Sequence, residues 1–421
     1  LSSNEFQTGH FVKPSQLCVG LFIHLDLTWT HHPFAFSSFK IKDLEQIRLI
    51  QGLGLRRIRY APEKSDCAPI LASTKADETQ PQKPPQAEDP AYIAKRAMVE
   101  RLVGQEKKVK ECEREFLAAS RNIKAMNQNI FSAPEQVREQ ATKLVNNIAS
   151  SLLGESDVAV HLISDAVGGD DVYSHALNVT LLSMIIAKEM KLSADDIKII
   201  GLGALFHDVG KTEIPVKIKT KLDPLTRAEA AIMQEHCKLG VAIGRQLELP
   251  LESILVIVQH HERIDGSGYP GQLLQDKLSV HSRIVAIAEA FDEMCNPVNP
   301  LNALTPHEAL SIIYAQQRAQ FDAAVTSTLV RCLGVYPPGT IVQLSNGVIG
   351  TVVSVNTSRP LKPVVLIYDP AMPKEEAILV DLSAEPDVSV SKTFKPRQLP
   401  VAAFEFLAPG RRTSYYFRAL T

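Results

Sequence analysis

What most constrains this chain is the recurrence of histidine and carboxylate side chains at helix positions where apolar residues belong. Between residues 134 and 335 the hydrophobic spacing predicts helix after helix: Glu135–Leu153, Val172–Met190, Ala194–His207, Arg227–Leu247, Leu251–His260, Val280–Asn296 and Pro306–Gln320. In the second of these, the stripe Val179, Leu182, Ile186 runs backward into His175 and Asp171, which share one face four residues apart. His207 and Asp208 end the third, followed by Gly210, where the chain can turn, and by the cation Lys211. His236 lies on a face with Ile232, Leu239 and Ile243; His260 and His261 end the apolar run from Val256; Glu289 stands inside the apolar run Arg283–Asp292.

An unpaired imidazole or carboxylate facing a core costs on the order of several kcal/mol, so each needs a compensating group. Taken alone, Asp171 with His175 reads better as a core histidine hydrogen-bonded to an aspartate, and His236 as a satisfied core residue. Together, a nitrogen or oxygen ligand on each of these elements exceeds what chance places in one helical domain. Mixed imidazole and carboxylate ligands suit Fe, Mn, Zn, Co or Ni, whereas calcium takes oxygen ligands alone. The number of ligands oversupplies one ion and fits two or three, provided carboxylates bridge. Such clusters serve in-line phosphodiester hydrolysis.

The 421 residues exceed one ordinary domain. Residues 1–70 read as a small α+β domain, with strands at Cys18–Leu25 and Arg56–Tyr60 around a helix at Ile41–Gly52. Residues 71–91, rich in Pro, Gln and charge, read as a disordered linker, and 92–133 as a connector helix region. The helical domain takes 134–335, and 336–421 form a small mainly-β domain with strands at Ile341–Leu344, Ile349–Val355, Val364–Tyr368 and Ala377–Val380. A net charge of -2 gives no global pull toward nucleic acid, so no DNA binding is expected. The six cysteines are scattered without a CxxC spacing and read as reduced thiols of a cytoplasmic protein. No signal peptide and no membrane-spanning run is expected. The helix beyond Tyr92 offers a route to a homodimer.

The motifs resemble a known family. His175, the pair His207-Asp208 and Glu289 are similar to the pattern of the HD superfamily of metal phosphohydrolases, and His260-His-Glu-Arg-Ile-Asp-Gly-Ser-Gly-Tyr-Pro270 resembles the HHExxDGxGYP signature of its HD-GYP branch. Residues 1–70 resemble the small domain often found ahead of it in bacteria. The resemblance implies a central all-α HD-type domain and a phosphodiesterase that opens cyclic di-GMP to pGpG and/or GMP with a hydroxide held by the metals. It implies two or three divalent ions, iron or manganese first, with ligands His175, His207, Asp208, His236, His260, His261 and Glu289, and Asp171 added where three ions bind. By the same resemblance Lys211 contacts substrate phosphate or the attacking hydroxide, and Gly268, Tyr269 and Pro270 form a loop that meets diguanylate cyclase (GGDEF) domains.

Three departures stand out. Glu289 replaces the usual Asp, Asp171 replaces the Glu of three-ion members, and Val298 and Leu301 stand where the family carries phosphate-binding cations. Each lost contact costs about 1.5–3 kcal/mol, and Arg263, Lys277 or Arg283 are the candidate substitutes. Two alternatives therefore accompany the enzyme: a catalytically weak regulatory module that binds metal, nucleotide or a cyclase partner, and an HD-type hydrolase of another cyclic dinucleotide or phosphate ester.

Overall fold

The computed structural model describes residues 10–27, 32–34, 37–70, 114–154, 158–163, 171–356, 359–370, 378–385, 387–395, 398–407 and 414–419. The linker expected at 71–91, most of the connector region and residues 29–31 of the aromatic loop lie outside the described residues.

The N-terminal unit is a four-stranded antiparallel sheet, β1 (His10–Val12), β2 (Phe22–His24), β3 (Ser38–Lys40) and β4 (Ile58–Tyr60), in the order β1-β4-β2-β3. Helix α1 (Leu44–Gly52) is capped by the Asp43 side chain, which accepts from the Gln46 amide, and it buries Ile47 and Ile50 against the sheet core. Cys18 and Cys67 are joined by a disulfide here, which corrects the expectation of reduced thiols throughout. The 49 residues between them hide the pairing in the sequence; folding of the sheet brings them together.

Residues 114–128 form a helix, α2. Phe116, Ile123 and Met126 are buried in the main core of this same chain. Of the connector expected from Tyr92 to Ala119, the described end therefore packs inward, and Met98, Leu102 and Val109 lie outside the described residues.

The central bundle follows: α3 (Pro134–Leu153), α4 (Asp171–Glu189), α5 (Ala194–Leu205), α6 (Val216–Lys219), α7 (Arg227–Gln234), α8 (His236–Gln246), α9 (Leu251–Gln259), α10 (Val280–Cys295), α11 (Pro306–Ala315) and α12 (Ala323–Leu333). Capping boxes at Ser193, Thr226 and Thr305 fix the starts of α5, α7 and α11. A single helix at Arg227–Leu247 was expected; the structure breaks it at Glu235, so that His236 opens a helix rather than sitting within one. A short 3-10 turn, Val209–Glu213, packs against α8. At Gly210 a Cβ would stand 2.0 Å from the His236 carbonyl oxygen, so only glycine lets the two backbones meet.

The expected run of helices from Pro134 to Leu333 also contains a strand, β5 (Val158–Ile163). It joins the C-terminal sheet between β7 (Ile349–Asn356) and β11 (Ser414–Ala419), antiparallel to both. That sheet is completed by β6 (Ile341–Leu344), β8 (Val364–Ile367), β9 (Ile378–Asp381) and β10 (Val390–Phe394), with a helix α13 (Val401–Leu407) before β11. Lys395 pairs with Glu308 of α11 at 2.6 Å, and Lys42 pairs with Asp387, tying the sheet region to the bundle and to the N-terminal unit. Among the described residues, no helix is long and apolar enough to cross a membrane.

Candidate metal centre

Five elements bring the candidate ligands to one place. His175 comes from the first turns of α4, and His207 and Asp208 from the turn that closes α5. His236 opens α8, His260 and His261 follow α9, and Glu289 projects from the buried middle of α10. They form two groups: Asp208, His236, His260 and His261 in one, and His175, His207, Asp208 and Glu289 in the other, with all ligand atoms of a group within 4.8 Å of one another. Asp208 belongs to both. Its Oδ1 lies 3.5 Å from His236 Nε2 and 3.7 Å from His260 Nε2, while Oδ2 lies 3.5 Å from His207 Nε2 and 3.6 Å from His175 Nε2.

The proton placement says what these groups can hold. His207 Nδ1 donates to the Ala204 carbonyl (2.6 Å), His236 Nδ1 to Met233 (2.6 Å) and His260 Nδ1 to Ile257 (2.8 Å). His175 Nδ1 donates to Asp292 Oδ2 (2.6 Å). When it gives up its second proton, each ring turns an Nε2 lone pair inward. Two pairs of such atoms face each other, His175 with His207 at 3.2 Å and His236 with His260 at 3.1 Å. Asp208 Oδ1 is buried with no hydrogen-bond donor, and Glu289 Oε2 is buried 2.9 Å from His175 Nε2 and 3.2 Å from His207 Nε2. Converging lone pairs with carboxylate oxygens repel unless a cation lies among them, and a divalent metal fits this donor set.

The electrostatics divide the groups. Burial pushes the His236, His260 and His261 imidazoles below their ordinary value, leaving them neutral at pH 7. Burial also opposes charge on His175 and His207, but the neighbouring carboxylates outweigh it, Glu289 and Asp292 for the first and Asp208 and Glu289 for the second, raising His207 to about 9. Burial works against the Asp208 carboxylate as well, yet Lys211 and His207 hold it well below the usual range; His175 and His207 do the same for Glu289.

The other expected residues are placed as follows. Lys211 Nζ donates to Asp208 Oδ2 at 2.6 Å. Arg263 lies over the Phe321 ring at 4.8 Å and donates to the Glu262 carbonyl. Of the other candidate cations, Arg283 is committed to Asp322 (2.8 Å) and Lys277 pairs with Asp276 (3.6 Å). Val298 and Leu301, at the positions where the resembled family carries cations, are 57% and 79% exposed. Gly268 is buried, with Tyr269 and Pro270 half-buried beside it. Asp171 is the first residue of α4, and its side chain lies outside the described residues.

Sequence reasoning missed Asp292. It is fully buried and accepts from His175 Nδ1, from Asn178 Nδ2 (2.8 Å) and from Asn296 Nδ2 (2.9 Å). The signal was available: Asp292 lies three residues after Glu289 on the same face of an apolar helix.

A helical bundle whose His-Asp pair joins two clusters of imidazole and carboxylate ligands defines a divalent-metal-binding HD-type domain. Residues 130–325 match the family model "HD domain", residues 11–141 "Domain of unknown function (DUF3391)" and residues 341–401 "KOW domain associated with HD domain". The chain is 26% identical over 368 residues to the cyclic di-GMP phosphodiesterase PA4108 of Pseudomonas aeruginosa, covering 86% of each. It is 26% identical over 278 residues to the cyclic di-GMP phosphodiesterase response regulator RpfG of Xanthomonas campestris pv. campestris, covering 66% of this chain and 70% of that one. It is 30% identical over 231 residues to the 3'3'-cGAMP-specific phosphodiesterase 2 of Vibrio cholerae, covering 54% of this chain and 42% of that one. Residues 130–325 are thus an HD domain, similar to those of named cyclic dinucleotide phosphodiesterases.

Proposed function

We propose that this protein hydrolyses a phosphodiester bond of a cyclic dinucleotide, cyclic di-GMP first, releasing pGpG and/or GMP. The observation that carries this is Asp208, which offers one carboxylate oxygen to each of two histidine clusters. His236, His260 and His261 would hold one ion, and His175, His207 and Glu289 the other, with Asp208 between them; iron or manganese is the proposed metal, and Asp171 the added ligand if a third ion binds. Once bound, the ions would supply a nucleophile at neutral pH and neutralise phosphoryl oxygens. The chain's own residues do the rest. Asp292 and the carbonyls of Ala204, Met233 and Ile257 fix the histidine rings before metal arrives. Lys211 sets a permanent positive charge at the edge of the cluster, aimed by Asp208, where a phosphoryl oxygen gains charge. Arg263 is the remaining candidate for a second phosphate contact. The names of two relatives, both cyclic di-GMP phosphodiesterases covered over two thirds or more of their length, support this substrate.

The apolar residues Val298 and Leu301, where the resembled family carries cations, favour a second reading, in which the grip on phosphate is weak. The protein would then act on a different cyclic dinucleotide, as the Vibrio cholerae relative is named to do, or regulate a diguanylate cyclase domain docked beside Tyr269 and Pro270 in the cytoplasm. Protein purified without oxygen, loaded with Fe(II) or Mn(II) and given cyclic di-GMP separates the two. Metal-dependent pGpG, absent from His207→Ala, supports the enzyme; two bound ions with no product supports the second reading.

A further inference from the structure

His261 differs from the other four histidines of the centre. Each of those is held through Nδ1 by a carbonyl or carboxylate, whereas the His261 ring has no hydrogen-bond partner among the described residues. What it has is Tyr269, whose ring stacks on it at 4.6 Å between centroids and 26° between planes, and which also meets the edge of His236 at 6.5 Å. Tyr269 is in turn fixed by its loop. The Glu262 side chain, 2% exposed, turns both carboxylate oxygens to that loop: Oε1 accepts from the Gly271 amide (2.5 Å) and Oε2 from the Leu273 amide (2.9 Å). The Tyr269 amide donates to the His261 carbonyl at 3.2 Å. Gly268 lies so close to residues 261–263 that a Cβ would stand 2.4 Å from the Arg263 nitrogen and 2.5 Å from the His261 oxygen. A loop drawn this tightly onto the backbone it follows has one evident result, the placing of an aromatic plate against one ligand.

We propose that Glu262 and Tyr269 are positioning residues which brace His261, so that the Gly268-Tyr269-Pro270 loop sets the geometry of one metal pocket and leaves the other alone. A metal-ligating histidine is usually oriented by a hydrogen bond to its second nitrogen, and removal of such a partner costs about 10–100-fold in metal affinity. Stacking takes that place here: it fixes the plane of the ring, and the two amide bonds to Glu262 fix the plate. The inference rests on the two-ion reading above.

The test is a Mn(II) titration of the full chain, counting ions and reading each affinity, with wild-type protein, Tyr269→Phe, Tyr269→Ala and Glu262→Gln. Tyr269→Phe keeps the plate and is expected to hold both ions as wild type does. Tyr269→Ala and Glu262→Gln are expected to weaken one ion on the order of 10–100-fold while the ion held by His175, His207 and Glu289 stays at wild-type affinity. That retained ion also reports that the bundle has folded. Two ions at unchanged affinity in both variants, or equal weakening of both ions, would overturn the brace and leave the two-ion reading standing. A wild-type chain that holds fewer than two ions would overturn both.

Discussion

Asp208 turns its two carboxylate oxygens in different directions, Oδ1 to His236 Nε2 at 3.5 Å and Oδ2 to His207 Nε2 at 3.5 Å. One side chain therefore closes both pockets, while every histidine closes one. Asp208→Ala is expected to empty both, and His236→Ala to empty one and spare the other. Elemental analysis of protein refilled with Mn(II) and passed through a desalting column reads the difference directly. Equal metal content in the two variants would count against a bridging role.

Asp292 carries a second prediction. Replacing it with alanine removes the acceptor shared by the buried Asn178 and the partly buried His175 and Asn296, and losing a buried hydrogen-bond partner costs roughly 1–3 kcal/mol. The variant should melt at lower temperature, and metal affinity at the His175 pocket should fall about 10–100-fold. Thermal unfolding with and without Mn(II) separates these effects: the metal-dependent rise in melting temperature shrinks if His175 has lost its orientation.

The two pockets should respond differently to pH. In the metal-free protein His207 is raised from 6.5 to about 9, so its protonated form stabilises the fold. That contribution is fully present below the ordinary value of 6.5 and is lost as pH rises through about 9. Metal competes with the proton for Nε2, so affinity at the His175 and His207 pocket should strengthen across that window. His236, His260 and His261, neutral already, should show little change there. Calorimetric titration of Mn(II) in buffers of different ionisation enthalpy counts the protons released, and no release at pH 7 would contradict the assignment.

We propose charge stabilisation rather than ligation for Lys211: its Nζ meets Asp208 Oδ2 at 2.6 Å and cannot donate a lone pair to metal while protonated. Lys211→Met should keep both ions and lower turnover on the order of 10²–10³-fold, as loss of a preorganised charge at a developing oxyanion does. Metal loss in that variant would move Lys211 from substrate to scaffold.

The candidate ligands were legible in the sequence because each is a local anomaly, a histidine or carboxylate interrupting an apolar helix face. The relationships between helices were not. Asp292 orients His175 only because α4 packs on α10, and nothing in either segment alone states that contact. The break at Glu235 is likewise invisible to hydrophobic spacing, which continues through Ile232, His236 and Ile243; it lies where the 3-10 turn seats Gly210 against the His236 backbone. The strand β5 escaped notice because six residues between two helices gain their partners from β7 and β11, far along the chain. The pairing of Cys18 with Cys67 was hidden in the same way by 49 residues of intervening sequence.

We propose that two metal pockets sharing Asp208 act together on a cyclic dinucleotide. Adding Mn(II) or Fe(II) stepwise to metal-free protein, under anaerobic conditions, and following cyclic di-GMP by chromatography tests it most directly. pGpG is expected to appear as the second equivalent of metal binds and not with the first. Full turnover at one equivalent, or product formed without metal, would contradict it.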